Sequence, residues 1–157
     1  MAGKMQEKAF AEKVKVSPGF VKWLLSKTKF NGVDAIPILV RSDNPWYQSP
    51  RTGRQSETDI LIVFEHRDRA ERFALHIENK QATETFRPDQ PELYHERAAD
   101  WMNTVKWGGY QDFEVILLAP REFYVRNREK SEIFHQYLSH EEIAEFVQEF
   151  ATHRADS

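Results

Sequence analysis

The chain predicts an α/β fold in which a mixed central sheet is flanked by helices, and three observations carry that expectation. Amphipathic segments with helix start signals lie at both ends of the chain. Between them run four apolar, strand-like segments. Two of these pair in a register that leaves one face wholly apolar. The order is helix, three strands, helix, strand, helix, in a single domain over residues 1–157.

A first helix is expected from about Met5 to Val14. Ser17-Pro18 stops it and starts a second, with serine as N-cap and proline at the first helical position. That helix carries Phe20, Val21, Leu24 and Leu25 on one face and runs to Asn31-Gly32. Strands follow over Ala35–Arg41, Thr58–Glu65 and Phe73–Lys80. Asp89-Gln90-Pro91-Glu92 reads as a capping box opening a helix to about Val105. Gly108-Gly109 turns the chain into Phe113–Ala119, a continuous apolar strand expected to be buried on both faces. After a basic, aromatic loop, Ser139 and Glu142 form a second capping box, ahead of a helical tail with Ile143, Phe146, Val147 and Phe150.

Composition narrows the chemistry. Of 157 residues 30% are charged, yet 13% are aromatic and 40% hydrophobic, which supports a packed core rather than disorder. The longest apolar stretch, Val115–Ala119, is far below the ~20 residues of a membrane span, and no signal-peptide core opens the chain. A cytoplasmic protein without a membrane partner is expected. The absence of cysteine excludes disulfides, thiolate nucleophiles and cysteine-bound zinc, so any metal must sit on oxygen or imidazole. A net charge of −3 means that a nucleic-acid partner would have to be held by local basic patches.

Pairing the second and third strands antiparallel around His66–Glu71 places Ile60 opposite Ile77, Ile62 opposite Leu75 and Phe64 opposite Phe73. The same register sets Asp59 opposite Glu78 and Glu57 opposite Lys80, with Cβ atoms ~5 Å apart. His76 shares that face. Carboxylates so close resist joint ionisation, a cost that a divalent cation removes. Lys80, projecting from the same face, is placed to orient a water or to neutralise charge on a phosphate. The plainer account is a solvated strand face whose Glu57–Lys80 ion pair is worth ~0.5 kcal/mol.

Ser56-Glu57-Thr58-Asp59-Ile60-Leu61-Ile62-Val63, followed by Ala74-Leu75-His76-Ile77-Glu78-Asn79-Lys80-Gln81, resembles the core motif of the PD-(D/E)XK nuclease superfamily. The resemblance spans about Gly32 to Pro120 in topology and implies a restriction-endonuclease-like αβββαβ core. It makes Asp59 and Glu78 metal ligands, the Asn79 carbonyl a third, and Lys80 the catalytic lysine. Thr58 stands in the place of the proline and Asn79 in the variable place. Gln90-Pro91-Glu92-Leu93-Tyr94 is similar to the Gln-x-x-x-Tyr motif of RecB-like nucleases, which adds Gln90 and Tyr94 to the site. Arg97 lies one further turn along the same helix face.

Further candidates are Arg51, Arg54 and Gln55 just before Asp59, and Arg121, Tyr124, Arg126, Arg128 and Lys130 after the buried strand. Trp46 and Tyr47 are either a stacking platform or a cluster under a loop. Glu7 or Glu12 on the first helix is a possible additional carboxylate, and His76 a supporting group. No zinc motif, serine-hydrolase elbow or phosphate-binding glycine loop occurs. The expectation is therefore a magnesium- or manganese-dependent deoxyribonuclease. Asp59, Glu78, Lys80, Gln90 and Tyr94 would form its centre, with Arg51, Arg54 and Arg97 on the substrate, and a homodimer for double-strand cuts. The alternative is an inactive nuclease-fold protein that binds nucleic acid or a protein partner.

Overall fold

In a computed structural model, residues 2–151 are described; Met1 and residues 152–157, the ends of the expected domain, lie outside the described residues. Helix α1 (Ala2–Val16) buries Gln6, Glu7, Phe10, Ala11 and Val14, a stripe at helical spacing. Ser17 caps α2 (Pro18–Ser26), its side chain accepting from Phe20 N at 3.1 Å. That helix ends before Asn31 because the Lys27 and Thr28 amides fold back onto the Leu24 and Leu25 carbonyls.

The main sheet contains β1 (Ala35–Arg41), β4 (Ile60–His66), β5 (Arg72–Asn79), β6 (Asp112–Ala119) and β7 (Gln136–Ser139), adjacent in that order. Between β1 and β4, the short strands β2 (Trp46–Gln48) and β3 (Gln55–Glu57) form a separate hairpin. β4 and β5 pair antiparallel, with Ile60 opposite Ile77, Ile62 opposite Leu75 and Phe64 opposite Phe73, the register that side-chain alternation predicts. β6 runs parallel to β5 and β7 parallel to β6, so the sheet is mixed. β1 is an edge strand whose pairing with β4 slips by one residue between Pro37 and Leu39.

Four expectations change. Glu57 belongs to β3, opposite Trp46, so it does not face Lys80. Asp89 takes a left-handed backbone (φ 60) and caps nothing with its side chain, and α3 (Gln90–Asp100) stops short of Val105. The basic segment expected as a loop forms α4 (Arg121–Arg126) and α5 (Arg128–Ser131). The tail begins with β7, and the Ser139–Glu142 capping box opens only a four-residue α6 (His140–Ile143).

Helices α1 and α2 cover one sheet face, where Phe10, Phe20 and Leu24 meet Ile62, Phe64 and Leu75. Helices α3 and α4 lie on the other, through Tyr94, Ala98 and Phe123 against Val115 and Leu117. The carboxyl ends of the parallel strands β5, β6 and β7 share one edge of this stack. Among the described residues no helix is long and apolar enough to cross a membrane.

Candidate active site

At that edge opens a cleft of about 1000 Å³, walled by the start of α1, by the β2–β3 hairpin and by the segment from Gln81 to Pro88. Asp59, just before β4, continues the hairpin register one step beyond Ile60. Its Oδ2 accepts from Asn79 N at 2.8 Å and its Oδ1 from Asn44 Nδ2 at 3.0 Å. Burial first, then the Glu78 and Glu7 carboxylates, push the Asp59 carboxyl well above the usual range.

Tyr94 ties the two strand-end acids together. Its hydroxyl accepts from Asp59 N at 3.1 Å and donates to Glu78 Oε1 at 2.5 Å. Gln90 Nε2 donates to Glu78 Oε2 at 2.9 Å, while Gln90 Oε1 accepts from Arg87 N. One turn separates the two residues, so both reach Glu78 from one face of α3. Lys80 Nζ lies 3.3 Å from Glu78 Oε2 and donates to Thr85 O at 3.0 Å. Asp59, Glu78, Lys80, Gln90 and Tyr94, drawn from three separate segments, are thus brought together.

A third carboxylate arrives from α1. Glu7 is buried beside Asn79, whose Nδ2 donates to Glu7 Oε2 at 3.3 Å and to Gln6 Oε1 at 3.1 Å. Glu7 Oε1 has no hydrogen bond, only the Lys4 ammonium at 3.9 Å. Burial raises the Glu7 pKa to about 7, against the lowering effect of the Asn79 amide and Lys4. On the far side of Asn79, His140 Nε2 donates to Oδ1 at 2.7 Å, and burial pushes this imidazole down to about 4. Glu12 stays exposed and pairs with Lys15.

The arginines divide. Arg54 lines the cleft, 3.4 Å from Asp89. Arg51 instead pairs with Glu96 and Asp100 on α3. Arg97 is fully buried, donating from Nε to Thr58 Oγ1 at 2.6 Å and lying over the Tyr94 ring at 4.1 Å. Neither Arg51 nor Arg97, both expected on the substrate, lines the cleft: Glu96 and Asp100 of α3 engage the first, and Thr58 and Ser56 hold the second inside. His76 also points inward, between Thr58 Oγ1 and Tyr110 Oη at 3.0 Å each. Tyr110 donates to Ala98 O, so His76 carries its proton on Nε2 and accepts from Thr58 on Nδ1.

Asn44, Gln6 and His140 were not singled out by sequence. Only Asn44 carries a local signal, its place two residues before Trp46 in an Asn-Pro turn with φ 55. The chemistry of the donors suits a hard cation, since buried carboxylate oxygens converge and Glu7 Oε1 is orphaned. As placed, each Asp59 and Glu78 oxygen accepts from a protein donor, and no group of three His, Asp or Glu among the described residues stands at metal-holding distance. No family model, curated protein or solved structure matches this chain.

Proposed function

We propose that the chain is a magnesium- or manganese-dependent nuclease that hydrolyses phosphodiester bonds in DNA, on a restriction-endonuclease-like core of the PD-(D/E)XK type. One observation carries this reading: Asp59, Glu78 and Lys80 meet at the open end of a single hairpin, two acids and an ammonium in one cleft, a set that suits hydrolysis of a phosphodiester. Asp59 and Glu78, with the Asn79 carbonyl, would hold the cation, and Glu7 is near enough to favour its entry. A bound ion supplies Lewis-acid activation of water and of the scissile phosphoryl group.

The remaining steps belong to the chain. Tyr94 and Gln90 orient Glu78, and Asn44 with the Asn79 amide orients Asp59, before substrate arrives. Lys80 holds its ammonium beside the reacting phosphate, where negative charge grows in the transition state. Arg54 and Arg87 lie on the cleft wall to attract the backbone. A homodimer would bring two such sites to a duplex. A second reading, a binding protein without catalysis, draws on the Lys80 ammonium being engaged by Glu78 and Thr85.

The test is turnover of labelled DNA and RNA with magnesium, manganese or chelator. Lys80→Met keeps the stem packed near Phe86 and should slow metal-dependent cleavage by about a hundredfold to a thousandfold. Equal rates for the two proteins, or no cleavage by wild type in either metal, would favour the binding protein.

A further inference from the structure

Trp46 is 55% exposed, an unusual place for so large an apolar ring. The hairpin that carries it sorts its side chains by face. Tyr47 and Ser56, opposite one another, turn inward. The Tyr47 hydroxyl lies against Glu96 at 2.6 Å and against Asp100, and Ser56 accepts from Arg97. Trp46 and Glu57, the next opposed pair, therefore turn outward together, as do Gln48 and Gln55. All three residues of β3, Gln55, Ser56 and Glu57, line the cleft, and Trp46 stands just outside that lining at its rim, one ladder step away opposite Glu57. Trp23, Trp101 and Trp107 each stack on another ring or a cation. Trp46 has no such partner among the described residues.

Charge decides what an exposed ring at this rim is for. Five acids, Glu7, Glu57, Asp59, Glu78 and Glu84, line the cleft against four Lys and Arg side chains. Three of those four already face a carboxylate: Lys4 faces Glu7, Arg54 faces Asp89 and Lys80 faces Glu78. Phosphate attraction alone is thus weak here, and a nucleic acid must gain affinity elsewhere. Stacking on an aromatic ring supplies it, and needs a base whose face is free. In a duplex both faces of an internal base are covered by its neighbours. Depth points the same way, because Glu78 is only 4% exposed and a phosphate must descend between three walls to reach it.

Resting on the nuclease reading, we propose that Trp46 is a stacking subsite for one unpaired base, and that the substrate is single-stranded nucleic acid entering the cleft past the β2–β3 hairpin. The hairpin is anchored to α3 through Tyr47 and Arg51, so the indole is presented without an ordering step. Every base offers a π-face, so the subsite selects for strandedness and not for sequence.

The test is equilibrium binding, with calcium in place of magnesium, of fluorescein-labelled oligothymidylate, an abasic strand of equal length, and a duplex. Wild type should prefer the oligothymidylate to the abasic strand by about tenfold, the loss expected for one stacked base. Trp46→Ala should bind both strands alike, Trp46→Phe should keep most of the preference, and both variants should melt with wild type. An unchanged preference in Trp46→Ala, or a wild type that binds duplex more tightly than single strand, overturns the proposal. Metal-dependent cleavage that Lys80→Met removes keeps the nuclease reading intact in that case, whereas a wild type that neither binds nor cleaves any nucleic acid overturns both.

Discussion

On one face of the β4–β5 hairpin, Ile60, Ile62, Phe64, Phe73, Leu75 and Ile77 pack among aliphatic and aromatic side chains of α1 and α2. On the other face His76 is as deeply buried, but within a chain of hydrogen bonds through Thr58, Arg97 and Tyr110. The first face is held by area and fit, and a small loss there is a small loss. The second packs Leu61, Val63 and Ala74 against Trp101 and Trp107 as well, but its polar groups are held by pairing, where removing one atom strands its partners. The candidate site grows from the second kind of surface, whose end carries Asp59 and Glu78.

Two substitutions of similar size separate the faces. Thr58→Val keeps the shape but removes the hydroxyl that serves both Arg97 and His76, and should cost about 3 kcal/mol, because two buried groups lose their partner. Denaturant unfolding with chelator present measures it, and a cost below that of Ile62→Val would show that the network adds nothing to stability.

Between these extremes lies Glu7, the acid without a full set of partners. Its folded pKa, about 7, exceeds the usual 4.5, so its contribution to stability is complete below pH 4.5 and is lost as pH rises towards 7. His140 works in the opposite direction, its depressed pKa removing stability as pH falls from 6.5 towards 4. The useful quantity is therefore the difference between wild type and Glu7→Gln. In metal-free buffer it should fall by roughly 2 kcal/mol from pH 4.5 to 7, and a flat difference would place the Glu7 carboxyl in water.

The smallest effect is on the apolar face. Ile62→Val removes one methylene from a fully buried site and should cost about 1 kcal/mol, with metal-dependent cleavage by the folded fraction unchanged.

What could be read in advance follows the same division. The apolar face announces itself through alternation, and the β4–β5 register came from that pattern alone. Asp59 and Glu78 were legible because they extend this register, and Gln90 and Tyr94 because one turn of helix puts them on one face. The β2–β3 hairpin has three-residue strands of mostly polar residues, held by contacts with α3 that lie 40 to 50 residues away in sequence, and it left no periodic trace. Arg97 looked like another exposed charge because Thr58 and Ser56 reach it only in the fold. Asp89 had the composition of an N-cap, yet its left-handed backbone turns it away from the helix, and it pairs with Arg54.

The slip between Pro37 and Leu39 on β1 bears on how the protein behaves at high concentration. An edge strand offers unpaired amides to any other strand, and Ile36 and Ile38 make this one sticky. Pro37 has no amide hydrogen to offer, and the extra residue at Ile38 breaks the straight run that an incoming strand would need to follow. Edge-to-edge growth into fibres is therefore interrupted at the middle of β1, which keeps neighbouring molecules apart along the side of the sheet farthest from β7.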